Sequence, residues 1–407
     1  MLKMPKILPK LLNFAPLIAI ASSFEKSKNV QVKTDKFNNS EKIEECNCQK
    51  GEKSADSGQR QEDINLNETI EADFEYKGYY KFGKILGRGS FGTVIECVRK
   101  SDELPVALKF FKSKAVHKWI AESVIENDLD ESFVKNSDFF SKKSPTVDRM
   151  LPSEVACLIR SSKCEGVVRI LDYLPATNEK IADLDESEHA AIIGIVFERN
   201  ANEMCLFDYL IQNSCLREKD AKILMRQIIQ ISLNLLQHCG ILHGDLKSEN
   251  ILIDRVTKQI KLIDFGAAQI IDMPNNSNSL SDVKMHKCVQ ANAIQNCNSQ
   301  SRMMFKPVRT FRGTNLYKPP EYILHHCFYP RPSTVWTFGI ILFDMVCGHF
   351  PFDNDSDVLV HQEKDIVFTK SDLSSDFKDL VKKCLAFYVA DRIVIEKIFD
   401  HPWIKND

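Results

Sequence analysis

The 407-residue sequence has no CxxC pair and no Cys/His cluster at zinc spacing, so it offers no basis for a structural zinc module. Its 13 cysteines are odd in number and irregularly spaced, with one close pair, Cys46 and Cys48. That pattern points away from a disulfide framework and towards mostly reduced thiols of a cytosolic protein. Charge of one sign is also missing: 54 Lys plus Arg stand against 56 Asp plus Glu, a net charge of -2, which gives no global field to attract nucleic acid. There is no internal repeat. With 43% hydrophobic and 27% charged residues the composition is globular, which excludes wholesale disorder, a collagen-like fibre and a multispanning membrane protein. At ~150 residues per domain the length allows two or three units.

The N-terminus is the one apolar exception. Lys3, Lys6 and Lys10 precede the stretch Leu11 to Ala21, interrupted by Asn13 and Pro16 and ending in Ala19-Ile20-Ala21. It falls short of the ~20 apolar residues that span a bilayer, so no stable membrane insertion is expected. A cytosolic apolar tail and a signal peptide both remain open, the first favoured; localisation is expected to be cytoplasmic, with nuclear presence and secretory entry as the alternatives. Residues 22 to about 75 are polar and poor in aromatics, the composition of a disordered tail. Residues 1 to 36 carry seven Lys against Glu25 and Asp35, whereas 41 to 75 carry eleven acids against four bases.

From Tyr79 onward, alternating runs over Lys81 to Val98, Pro105 to Phe111, Val167 to Leu174 and Ala190 to Phe197 predict strands, with a helix over Leu151 to Ile159. Helical periodicity then dominates, over Leu206 to Gln212, Glu218 to Cys239, Thr334 to Cys347 and Ser375 to Cys384. The polar segment 113–148 contains an expected amphipathic helix through Val116, Trp119, Ile120 and Val124, and 272–304, rich in Asn, Ser and Gln, reads as a second insertion. The implied architecture is a β-rich small lobe followed by a helical large lobe, with a ligand in the cleft between them.

Gly87-Arg88-Gly89-Ser90-Phe91-Gly92, followed by Val94, is a GxGxxGxV loop whose glycines let backbone N–H groups approach phosphate oxygens. Val106-Ala107-Leu108-Lys109 follows and places an ammonium within reach of those phosphates. Farther on, His243-Gly244-Asp245-Leu246-Lys247-Ser248-Glu249-Asn250 precedes Asp264-Phe265-Gly266, then Pro319-Pro320-Glu321 and Asp391-Arg392. In this order the elements resemble those of the protein kinases. The resemblance implies Asp245 as the catalytic base, Lys247 neutralising the γ-phosphate of ATP as in kinases acting on Ser or Thr, and Asn250 and Asp264 as Mg²⁺ ligands. It implies Lys109 on the α- and β-phosphates, oriented by Glu154, and an ATP site formed by Leu86, Gly87, Gly89, Gly92, Val94, Ala107, Lys109, Glu198 and Asn200.

Val335 to Gly348, Glu198-Arg199, Leu206-Phe207-Asp208-Tyr209, Cys384-Leu385-Ala386 and His401-Pro402-Trp403 are similar to the Pim family of serine/threonine kinases, over about Tyr79 to Trp403. The implied fold is α+β: a bilobal kinase with a small antiparallel β-rich N-lobe (77–197), a hinge (198–202) and a larger α-helical C-lobe (203–405), after a tail of residues 1–76. The implied activity is phosphorylation of Ser/Thr in basic protein substrates without prior activation-loop phosphorylation, by an expected monomer with no nucleic-acid partner. Candidate acids for the basic peptide are Asp208, Glu249, Asp353 and Asp355, while Cys205 and His349 stand where the family usually has acids. Gly244 replaces the usual arginine and Arg312 the acid before Gly313-Thr314, so both ends of one ion pair are gone. Asn200 replaces the hinge proline and adds a backbone donor. A pseudokinase scaffold on the same fold stays open as the alternative.

Overall fold

The computed structural model of the protein describes residues 74–88, 92–111, 119–121, 125, 150–175, 192–271 and 305–406. The tail, Gly89, nearly all of the 113–148 segment and the 272–304 insertion lie outside the described residues. The described parts fall into two compact units, 83–97 with 105–406 and, separately, 74–82 with 98–104. Within the smaller unit Arg99 pairs with Asp102 at 2.6 Å and the Lys100 ammonium donates to the Lys77 carbonyl.

The small lobe is an antiparallel sheet with strand order β1-β2-β3-β7-β6, from β1 (Tyr80–Arg88), β2 (Gly92–Arg99), β3 (Pro105–Phe111), β6 (Ile170–Pro175) and β7 (Ile192–Glu198). Strand β3 is flanked on both sides, so its residues Val106 to Phe110 are all buried and Lys109 is carried into the interior with them. Two short strands, β4 (Trp119–Ala121) and β5 (Met150–Pro152), form a separate ribbon with Trp119 opposite Pro152. This corrects the amphipathic helix expected through Trp119 and Ile120: those aromatic and β-branched residues suit a paired, half-buried strand. Helix α1 (Ser153–Arg160) follows β5 directly, beginning two residues later than its apolar run suggests because Leu151 and Pro152 are spent on the ribbon.

In the large lobe, β8 (Glu203–Cys205) leads into α2 (Leu206–Asn213) and α3 (Glu218–Asn234), which continues as a π-turn over Leu235–Cys239 and stops at Gly240 with φ 60°. The strands β9 (Ile241–Leu242), β10 (Ile251–Asp254), β11 (Ile260–Leu262) and β12 (Gln269–Ile270) bracket the segment that carries the kinase-like residues. Two small sheets hold it: β11-β10-β8 and β12-β9. Helices α4 (Pro320–His325), α5 (Pro330–Cys347), α6 (Asp355–Val360), α7 (Ser375–Cys384) and α8 (Pro402–Lys405) complete the lobe. All of α5 is buried except Thr337 and Asp344, which explains why its apolar residues are not confined to one stripe. It starts four residues ahead of its periodic run because Pro330 occupies the first helical turn, where a missing N–H costs nothing.

Arg392, 1% exposed, makes a bidentate pair with Glu321 at 2.9 Å for both bonds, donates to the Pro332 carbonyl, and lies 5.2 Å from the Trp336 ring. Among the described cysteines eight are free thiols, and Cys327 is disulfide-bonded, an exception to the reduced state expected. No helix among the described residues is long and apolar enough to cross a membrane.

Candidate active site

The buried charge cluster around Lys109 is built by three separate elements. β3 supplies Lys109, α1 supplies Glu154, and the turn after β11 supplies Asp264. The Lys109 ammonium, 1% exposed, lies 2.7 Å from Glu154 Oε1 and 2.9 Å from Asp264 Oδ1. Burial alone would lower its pKa, but the Asp264 and Glu154 carboxylates outweigh burial and hold it above the ordinary lysine value. Burial likewise opposes ionisation of Asp264, yet Lys109 holds that carboxyl below the usual range, whereas burial raises Glu154 despite the same lysine. The asymmetry fits their surroundings, because Asp264 also accepts a hydrogen bond from the Gly266 N–H.

A second network surrounds Asp245. Its Oδ1 accepts from the Thr314 N–H at 2.7 Å and the Thr314 hydroxyl at 2.8 Å; its Oδ2 accepts from Asn250 Nδ2 at 3.1 Å and lies 3.1 Å from the Lys247 ammonium. Lys247 in turn donates to Thr314 Oγ1 at 2.7 Å. Catalytic loop and activation segment are thus joined at the carboxylate itself. His243 sits 3.0 Å from the Ile263 carbonyl through Nε2, which therefore carries the proton, while Nδ1 accepts from the Asp245 N–H. Burial holds His243 below its usual pKa, so it is neutral there.

Asn250 is fully buried, and its Oδ1 has no hydrogen-bond partner among the described residues. An orphaned oxygen in the loop that carries Asp245, matched with the ionised Asp264, is the hard-oxygen donor set that Mg²⁺ takes alongside nucleotide phosphates. The fit needs no dedicated cage, and no cluster of three or more His, Cys, Asp or Glu able to hold a metal exists among the described residues.

Leu86, Val94 and Ala107 are buried on the strands of the small lobe, with Ala107 paired to Phe197. Gly87 is the last residue but one of β1, and Gly92 opens β2 where a Cβ would lie 2.0 Å from the Phe110 carbonyl oxygen, so only glycine fits. At the hinge, the Glu198 N–H is taken by the Arg169 carbonyl and its carboxylate by Lys261 at 3.0 Å. The Asn200 side chain bonds Asp254 and the Asn202 N–H, which fixes the turn; its own N–H has no acceptor among the described residues.

Gly244 has φ +80°, and a Cβ there would lie 2.5 Å from the Ala267 carbonyl oxygen. An alanine therefore meets both left-handed strain and a backbone clash. Gly244→Ala is expected to destabilise the fold by about 1–2 kcal/mol or more, seen as a lower Tm, and to slow turnover by displacing Asp245. A melting curve superimposable on the wild type would contradict this.

The proposed substrate acids separate into two sets. Asp208 and Glu249 both bear on Cys205, whose thiol burial pushes up to about 12 with these two carboxylates adding to the rise. One oxygen of Asp208 is buried without a partner among the described residues. Asp355, by contrast, is held by Lys318 at 2.8 Å, and Asp353 is exposed. Sequence reasoning missed Asp344. Burial, followed by Glu249, pushes its carboxyl up to about 6, against an opposing pull from His349. The available signal was an acid standing alone in the apolar run Ile340 to Cys347.

The profile of the protein kinase domain matches residues 133–404. The chain belongs to the protein kinase family. The kinase is 30% identical over 333 residues to serine/threonine-protein kinase prk-2 of Caenorhabditis elegans, covering 82% of this chain and 59% of that protein. It is 28% identical over 339 residues to serine/threonine-protein kinase pim-2 of Danio rerio, covering 81% and 86%. With human testis-specific serine/threonine-protein kinase 3 it shares 25% over 338 residues, 82% and 99%. All three are serine/threonine kinases, and the present chain is a protein serine/threonine kinase of the same bilobal fold. Its profile match starts beyond Lys109; the Lys109 contacts with Glu154 and Asp264 are what tie β3 to the site.

Proposed function

We propose that this kinase transfers the γ-phosphoryl group of ATP to Ser or Thr in basic protein segments, in the manner of the Pim kinases, without requiring a phosphorylated activation segment. The observation that carries the reading is the joint formation of both networks, Lys109 with Glu154 and Asp264, and Asp245 with Lys247 and Thr314, in a chain whose catalytic loop has Gly244 in place of an arginine clamp.

Phosphoryl transfer asks the protein mainly for positioning and charge neutralisation. Lys109, fixed between two carboxylates, would hold the α- and β-phosphates; Asn250 and Asp264 would hold Mg²⁺, which when bound neutralises phosphate charge. Asp245 receives the proton of the substrate hydroxyl as its oxygen bonds to the γ-phosphorus, and ADP departs with the bridging electron pair. Lys247 compensates charge on the transferred group.

Preference for a basic peptide follows from Asp208, Glu249 and Asp344. Glu249 and Asp344 repel one another, so a guanidinium between them relieves repulsion as well as pairing charge. Glu249→Gln is expected to raise KM for an Arg-rich serine peptide by about tenfold, the range for a hydrogen bond to a charged group, with KM for ATP unchanged. Equal KM values for Arg-containing and Ala-substituted peptides in the wild type would sink the basic preference.

Because cation binding needs Asp344 ionised, lowering the pH through about 6 protonates it and weakens the peptide contact. The expected result is a kcat/KM for the Arg-rich peptide that drops below pH 6 more steeply than that for a neutral peptide. Parallel profiles would exclude Asp344 from recognition.

A further inference from the structure

Of the eight described cysteines that carry thiols, five are buried, and Cys164, Cys215 and Cys239 are half-buried, within reach of a small solute. Their partners separate these three. The Cys215 sulfur takes the Lys370 ammonium at 2.7 Å, whereas the Cys164 thiol is hydrogen-bonded to the side chain of Cys239. The backbone brings the second pair together independently of the sulfurs. Cys164 lies in the turn that follows α1, its N–H donating to the Ser161 carbonyl at 2.8 Å, and Cys239 ends the π-turn that follows α3. Arg160, the last residue of α1, donates through Nε to the Cys239 carbonyl at 2.7 Å, and both cysteines pack against the same core. A disulfide closes only between cysteines whose backbones already lie near each other, and that condition is met here.

The two sulfurs are not equivalent. Cys164 donates, its hydrogen shared with the Glu165 carbonyl at 3.8 Å, and the bond to Cys239, with burial behind it, holds this thiol above its ordinary pKa. It therefore keeps its proton. Cys239 accepts, and it has the Arg160 guanidinium at its own carbonyl, the electropositive setting in which a thiol ionises first.

We propose that Cys164 and Cys239 are a modification site at which hydrogen peroxide forms a reversible disulfide, tying the end of α1 to the segment that leads into the catalytic loop. The Cys239 thiolate attacks one peroxide oxygen; the O–O bond breaks, leaving a sulfenic acid and a hydroxide that the displaced thiol proton turns into water. The Cys164 sulfur then attacks the Cys239 sulfur, the S–O bond breaks, and the hydroxyl departs with the Cys164 proton as a second water. Two thiols lose two electrons and one peroxide gains them. A dithiol reverses the step by thiol–disulfide exchange. The tie spans two parts of the site, since α1 carries Glu154, the partner of Lys109, and Cys239 stands just ahead of β9 and His243. Between them, Gly166 and Val168 are already hydrogen-bonded to Leu262 of β11 at 2.8 and 2.9 Å, so the bond would form with little rearrangement and restrain α1 in place.

The test treats the full chain with hydrogen peroxide at the level that oxidises free cysteine in the same buffer, followed by peptide mapping under non-reducing conditions and a melting curve. Expected are a linked peptide pair containing Cys164 and Cys239, a Tm higher by about 5 °C or more, and loss of both on adding dithiothreitol. In Cys164→Ser the link and the Tm rise are absent and Cys239 is recovered as sulfenic or sulfinic acid, while phosphate transfer under reducing conditions stays at the wild-type rate. Cys239→Ser likewise forms no link. Oxidation of Cys215 with Cys164 and Cys239 still reduced would overturn the proposal, as would either of the pair linked to a different cysteine. A linked protein that melts no higher than the reduced one would contradict the restraint on α1.

Discussion

Asp245→Asn is expected to lower the phosphoryl-transfer rate by about 10²–10⁴-fold, the contribution of a positioned general base, while ATP still stabilises the protein in a thermal-shift assay. Two effects combine. The amide has no useful basicity towards the substrate hydroxyl. It also replaces one acceptor oxygen by an NH₂ group where every neighbour is a donor: Thr314 N–H and hydroxyl on one side, Asn250 Nδ2 and the Lys247 ammonium on the other. Whichever way the amide turns, a donor faces a donor. A rate within threefold of the wild type would remove Asp245 from the chemistry.

The second large effect concerns stability. Glu321→Ala leaves the Arg392 guanidinium buried without its bidentate carboxylate, and is expected to destabilise the protein by about 3–5 kcal/mol. Replacing both partners by apolar residues, Glu321→Leu with Arg392→Met, should cost much less, because no uncompensated charge remains. Chemical denaturation of the two variants separates the cases. If the single variant is no less stable than the double, the buried-charge argument is wrong.

Much of the site could be read from the sequence because its members lie in short local patterns. Asp245, Lys247 and Asn250 share one loop and Asp264 sits in a three-residue motif, and the resemblance of these local patterns to those of the protein kinases is what implies their roles. Glu154 was implied by the same resemblance, but its contact is not local. It lies 45 positions from Lys109, and only the tertiary fold makes the 2.7 Å contact. The helices with one apolar stripe, α3 and α7, were legible in their periodicity; α5, buried nearly all round, has no stripe at its start, and its first turn was missed. Trp119 and Ile120 misled because three residues fit a strand as easily as a helix, and the partner that decides the matter is Leu151–Pro152, some thirty positions on. Asp344 and Asp355 show the same limit for charge. Whether an acid faces a substrate or a lysine of its own chain depends on contacts such as Lys318 with Asp355, which no local pattern encodes.

The pairing of Lys109 with both Glu154 and Asp264 makes one further point. A lysine at 1% exposure is tolerated only because two carboxylates accompany it, so the cluster is assembled before any nucleotide arrives. Pre-assembly is in keeping with the proposed independence from activation-segment phosphorylation, because Gly244 supplies no arginine to clamp a phosphate.

The most direct test is transfer of labelled phosphate from ATP-Mg²⁺ to an Arg-rich serine peptide, by the wild-type chain and by Asp264→Asn measured side by side. The account predicts steady incorporation by the wild type and a loss of at least about a hundredfold in the variant. Equal incorporation by the two proteins, or none by either, would contradict it.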